Sequence, residues 1–342
     1  MQRLPFSGRT MNDIVSTLRH GAAVPLVVSP AVPPAVPPYP ASGHRLKAAL
    51  GALFFPRQRT RWQAFLGSMP GLHSLAQLHP CLRFKIYRPY ASRQLGCADR
   101  LALLEGHYRF LWQAGARALV ERAARQPVVL AAFEGKDGVL YRLQLTAIHD
   151  SYREGELCLR LTRDGQPLYL ASFLFLPRAD GVSLQLGALQ GLRSEAGKLA
   201  VKDATRALHG CRPKNLMVAA LRDFGDFFAC NNLFLISNDN RIALNARRRR
   251  HIAADYDQAW QELHALRMRD GNYHLPCAPY RVPDLAEVPS KKRADARRRG
   301  DLLLSMSADM RAQLAAMLIA PSCQNGHLVN ETVMLHSHQS LT

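Results

Sequence analysis

Between residues 141 and 191 the chain alternates apolar and polar positions with a period of two, in four stretches separated by turn residues. YRLQLTAIH at 141–149 sets Tyr141, Leu143 and Leu145 against Arg142, Gln144 and Thr146; ELCLRL at 156–161 sets Leu157, Leu159 and Leu161 against polar or small partners. A period of two is that of a strand with one buried face. Asp164-Gly165 supplies a turn ahead of PLYLASFLFLP, and Asp180-Gly181 separates that run from VSLQLGALQ. Four consecutive strands with hairpin-like connections predict an antiparallel or mixed sheet.

The period then lengthens. Within 214–229, Met217, Ala220, Leu221, Phe224 and Phe228 share one helical face while Arg222, Asp223 and Asp226 lie elsewhere. LFLI at 233–236 is short and wholly apolar, as a buried strand is, and a helix at 255–266 and a final strand near Tyr273 follow. Upstream, a helical pattern runs without internal proline from Arg100 to Gln126, and Pro127 closes it. HRLKAALGALFF at 44–55 places Leu46, Ala49, Leu50, Leu53 and Phe54 at helical spacing beside basic residues. It reads either as a basic amphipathic helix on a membrane or as a helix covering the domain's own core, and its short apolar face favours the core. The class is α+β, with an antiparallel or mixed central sheet flanked by helices. Four segments are expected: a basic, proline-rich tail at 1–43, a mainly helical region at 44–135, an α+β core at 136–300, and a C-terminal helix and tail at 301–342. The seven prolines between Gly21 and Pro40 favour an extended polyproline conformation and a tail or linker role.

Charge narrows the partners. The net charge is +19, and residues 1–100 hold thirteen Lys or Arg against two acids, whereas residues 101–240 hold seventeen against fourteen. A basic surface draws polyanions, whether an anionic ligand, an anionic membrane surface or nucleic acid. Aromatic nucleic-acid motifs are missing, so nucleic acid is the weaker partner. RRRR at 247–250 and KKRADARRR at 291–299 read as solvated surface or as contacts to such polyanions. Seven scattered cysteines without a CxxC pair favour free thiols. No apolar run reaches the roughly eighteen residues that span a bilayer, and Pro25 interrupts the stretch that loosely resembles a signal peptide. The expected location is cytoplasmic, with peripheral attachment to the inner membrane as an extension. No His or Cys group has metal-ligand spacing, and GxSxG, Walker and GxGxxG patterns are absent.

Candidate chemistry concentrates in 203–241. Arg206, His209, Arg212 and Lys214 bring four potential cations into nine residues around a turn, and with Asn215 they form a candidate anion pocket at a helix start. Alternatively, Arg206 and His209 face solvent or pair with Asp203. Ser237-Asn238-Asp239-Asn240 reads first as a turn; with Gln190 and Arg241 the serine and first asparagine are candidates for a substrate groove. The strand 182–190 offers only Gln185 and Gln190, which accept no proton at neutral pH. Glu195 and Asp203 are therefore the nearby candidates for a base, and Tyr256 or Tyr273 for an acid. His107 sits in a helical apolar run and reads as a buried, hydrogen-bonded histidine.

Several separated blocks carry a resemblance. They are His79-Pro80, LALLEGHYRFL at 101–111, REGELCLRL at 153–161, LYLASFLF at 168–175, GALQG at 187–191, TRALHGCRPKNLM at 205–217, LISNDNR at 235–241, DYDQAW at 255–260, DGNYHLP at 270–276 and SKKRADARRR at 290–299. In order and spacing, from His79 to Arg299, they resemble the VirK/YbjX family of bacterial proteins. The resemblance implies a role in the cell envelope: display of a surface virulence protein and tolerance of cationic antimicrobial peptides. It brings no catalytic residue. The order of elements also looks like the acyltransferase fold of the acetyltransferase superfamily and its aminoacyl-transferring relatives. That likeness implies acyl-coenzyme A or aminoacyl-transfer RNA as cofactor or donor, with its phosphates held by backbone N–H groups at 212–215. Here Asn215 and Met217 stand where that superfamily has small residues. The alternatives are a non-catalytic basic factor binding an envelope protein or anionic membrane, and a transfer-RNA-dependent aminoacyltransferase.

Overall fold

The computed structural model describes residues 50–148, 153–192, 194–242 and 255–319. The tail at 1–43, Leu46 and Ala49 of the 44–55 helix, the basic run at 247–250, Cys323 and the C-terminal tail beyond 319 lie outside the described residues.

The helices α1 (Pro56–Ser68) and α2 (Leu72–Leu78) and a 3-10 helix (Pro80–Tyr87) lead into α3 (Cys97–Gln113) and α4 (Arg117–Arg125). The single helix expected over 100–126 is thus two. Gly115 adopts φ +71 after Ala114, the Ala116 N–H reaches back to the Leu111 carbonyl at 2.8 Å, and the Gly115 N–H reaches Trp112. A left-handed glycine with such a back-bond is how a helix is stopped without proline.

Five antiparallel strands follow, one more than the alternation predicts: β1 (Val128–Glu134), β2 (Leu140–Ala147), β3 (Leu157–Arg163), β4 (Gln166–Arg178) and β5 (Gly181–Gly191). The β1 sequence VVLAAFE lacks alternation and falls, after Pro127, within the mainly helical region expected at 44–135. At the β3–β4 hairpin both Asp164 and Gly165 take positive φ, the geometry of a tight two-residue turn. After β5 the chain crosses over through α5 (Glu195–Ala207) and α6 (Pro213–Phe227) to β6 (Asn232–Leu235), which pairs with β5 in parallel. Then come α7 (Tyr256–Gln261), β7 (Leu266–Arg267), β8 (Tyr273–Pro276) and the long α8 (Ser290–Ile319). The helix expected over 255–266 ends early, where His264 turns to φ +56. The eight strands form one mixed sheet in the order β1-β2-β3-β4-β5-β6-β8-β7, an α+β architecture.

One apolar core runs through the described residues from Trp62 to Leu314. Phe175 on β4 gathers rings from α3 (His107, Phe110) and α6 (Phe224, Phe228). From α8, Leu303, Met306, Met310 and Leu314 are buried, and Arg311 binds Asp223 at 2.7 Å and Asp226 at 2.5 Å on α6. The segment 50–54 departs from the core-covering expectation, since Leu53 and Phe54 stand in solvent. Among the described residues no helix is long and apolar enough to cross a membrane.

Candidate functional site

The parallel contact between β5 and β6 is short. It pairs Leu184–Leu186 with Leu233–Leu235, and the last link is the Ile236 N–H on the Leu186 carbonyl at 3.1 Å. At that level β5 carries a bulge: its register against β4 shifts between Ser172 and Phe173, leaving Gly187 as the extra residue. Glycine is required there because a Cβ would stand 1.9 Å from the Glu154 carbonyl oxygen. Beyond the bulge β5 continues to Gly191 on β4 alone, while the chain after β6 turns away.

The vacated edge of β5 is filled by a side chain. The Leu189 N–H donates to the Tyr256 hydroxyl at 2.8 Å, and that hydroxyl donates to the Leu189 carbonyl at 3.1 Å. The phenol thus makes the pair of main-chain bonds that a neighbouring strand would make. Several of the groove residues assemble around it. Asn238 Oδ1 accepts the Tyr256 N–H at 3.0 Å, Asn238 Nδ2 holds Asp255 at 2.7 Å, and the Arg241 guanidinium lies 3.7 Å from the Tyr256 ring centroid. Trp260, also on α7, donates to the Ile236 carbonyl at 2.8 Å. Asp255 is held below the usual carboxylate range by the Gln258 N–H and by Asn238. Gln190 donates to Glu154 at 3.4 Å, so a carboxylate from the loop before β3 reaches the end of β5. Sequence reasoning missed Glu154, whose place is set by the fit of Glu154 against Gly187. Ser237 is buried; its N–H binds Asn272, and its hydroxyl has no hydrogen-bond partner among the described residues. The buried Tyr273 hydroxyl on β8 is likewise without one.

The cationic turn lies at α6. Arg212 is its N-cap residue and Pro213 its first residue, where a missing N–H costs nothing. Lys214 Nζ and Arg212 converge on Glu262 at 2.6 and 3.4 Å, and Lys214 first, then Arg212, holds that carboxyl below its usual range. Asn215 is exposed, with its N–H on the Arg212 carbonyl. Arg206 pairs with Asp203 at 3.5 Å and Glu195 with Lys198 at 2.6 Å, all on α5. His209 takes φ +52, and its carbonyl accepts from Arg299 of α8 at 3.2 Å. The cations Arg212 and Lys214 and the candidate residues gathered at Tyr256 are therefore joined by α7, with Tyr256 at its start and Glu262 at its C-cap. Glu195, Asp203 and Arg206 are not drawn into that arrangement.

A second polar cluster is sealed inside. Glu156 accepts from Lys85, from Tyr108 and, at 2.5 Å, from Tyr90, all buried. Burial pushes the Glu156 carboxyl up, but Lys85 and the hydrogen bonds outweigh it and the group lies below its usual range. Both tyrosines are pushed well up by burial and by Glu156. His107 Nδ1 accepts the Phe175 N–H at 3.0 Å, and burial lowers its pKa to about 4. This is a neutral, hydrogen-bonded core histidine.

Residues 41–312 match the family described as Protein of unknown function (DUF535). The chain is 29% identical over 271 residues to the uncharacterized protein YbjX of Escherichia coli (strain K12), covering 78% of this chain and 82% of the relative. It is 26% identical over 227 residues to an uncharacterized protein of Haemophilus influenzae, covering 66% and 75%. No solved structure matches it.

Proposed function

Because this chain belongs to the DUF535 family, the VirK/YbjX group of bacterial proteins that its sequence blocks resemble, we propose that it binds an anionic acyl donor along the β5 edge and transfers the acyl group to an envelope component. One observation carries the reading. At the carboxyl end of two parallel strands, a stretch of β5 main chain is hydrogen-bonded by a phenol instead of a strand. An extended donor chain offering one acceptor and one donor can replace that phenol.

Three further features support it. A crossover helix runs antiparallel to the strand it feeds, so the start of α6 lies at the end where β5 and β6 part. A helix N-terminus with Arg212 and Lys214 beside it suits phosphate. Glu154, bound to Gln190, supplies the carboxylate that β5 lacks: it takes the proton of the attacking amine or hydroxyl as the new acyl bond forms, and the donor's thioester or ester bond breaks to expel a thiolate or alkoxide that takes up that proton and leaves as thiol or alcohol. Donor binding on this reading displaces α7, withdrawing Tyr256 from Leu189 and Glu262 from the two cations. The envelope role rests on the family resemblance.

Thermal shift tests the binding step. Long-chain acyl-coenzyme A is expected to raise the melting temperature, since a ligand that prefers the native state stabilises it. Arg212→Ala with Lys214→Ala should abolish that rise, and Glu262→Ala, which removes the carboxylate that both cations hold, should enlarge it. Aminoacyl-transfer RNA in place of acyl-coenzyme A would indicate the aminoacyl-transferring variant. No shift with either donor class contradicts the reading.

A further inference from the structure

Residues 50–54 are helical and lead through Phe55 into α1. Leu53 is 73% exposed and Phe54 72%, with Leu50 and Phe55 also in solvent. The inward position of this turn is Gly51, where a Cβ would stand 2.6 Å from Tyr87 Cβ. The segment therefore presses its one residue without a side chain against the body and turns its largest apolar groups outward, the reverse of a core-covering helix. The following turn exposes Arg57 and Arg59. Acid is almost absent nearby in sequence: Asp13 alone precedes Asp99.

We propose that Leu50, Leu53, Phe54 and Phe55, with Arg57 and Arg59, form a docking site for an anionic membrane surface. Leu53 and Phe54 enter the boundary between headgroups and acyl chains, while the guanidinium groups stay at the phosphates. Charge and apolarity together select this occupant. Nucleic-acid backbone has use for the arginines but none for exposed leucines. A second copy in a two-fold contact would set this basic patch against itself, and like charges repel. Four apolar side chains make a small anchor, which suits reversible attachment. The inference goes beyond the β5-edge reading and does not rest on it.

Co-sedimentation of the full chain with vesicles tests the site. Vesicles containing phosphatidylglycerol are expected to carry the protein down at low salt, and phosphatidylcholine vesicles to leave it in solution. Leu53→Ser with Phe54→Ser should weaken binding by at least about tenfold, because two large apolar groups no longer leave water. Its melting temperature should stay that of the wild type, because both side chains are exposed. Arg57→Gln with Arg59→Gln should also weaken binding and flatten its dependence on salt. Failure of the wild type to sediment with phosphatidylglycerol vesicles overturns the proposal, and so does a Leu53→Ser, Phe54→Ser protein that binds like wild type. A lipid-free dimer that the same double substitution converts to monomer assigns the patch to self-association and overturns it as well.

Discussion

At the residue level the most constrained group is Glu156, a buried carboxylate held by one lysine and two phenols. Removing a single member of a buried ion pair leaves the other charge without compensation. Lys85→Met should therefore cost about 3–5 kcal/mol in urea denaturation, and Lys85→Met with Glu156→Gln should recover part of it. His107 makes a pH prediction. Its pKa falls from 6.5 to about 4 on folding, so the unfolded chain binds more protons between those values. Stability is then complete above about pH 6.5 and declines as the pH drops toward 4, by about 3 kcal/mol if nothing else titrates. His107→Asn, whose amide oxygen can still accept the Phe175 N–H, should flatten that part of the profile. The burial of His107 was legible from its apolar helical setting. The Lys85–Glu156 pair was not, because its members stand 71 positions apart and no local pattern marks a long-range ion pair.

At the level of elements, alternation located β2 to β5 and the helical face located α6, because in both cases burial follows the local period. The misreadings have physical causes. Gly115 ends α3 through its left-handed conformation, which no proline announces, and β1 is too uniformly apolar to show a period. The cations of the 206–214 turn were visible as a cluster, but Glu262, which binds two of them, comes from α7, 48 residues after Lys214. Position 187 illustrates how an element sets a site. Gly187→Ala would drive a Cβ into the Glu154 main chain rather than into a yielding side chain, and such overpacking should cost about 3 kcal/mol. Denaturation curves check the cost. Glu154→Gln, by contrast, should leave stability near wild type and lower acyl turnover by roughly a hundredfold or more, the usual contribution of a general base.

For the molecule as a whole, a positive chain carries two distinct basic features: the α6 start with Arg212 and Lys214, and the exposed turn before α1 with Arg57 and Arg59. The first defines the central claim, that α7 occupies the place of an acyl donor. Hydrogen–deuterium exchange of the full chain, with and without saturating long-chain acyl-coenzyme A, measures it directly. The account predicts faster exchange over 255–262 as α7 leaves and slower exchange at 188–191 as the donor covers the β5 edge. Unchanged exchange at both segments, with the donor bound elsewhere or not at all, would contradict it.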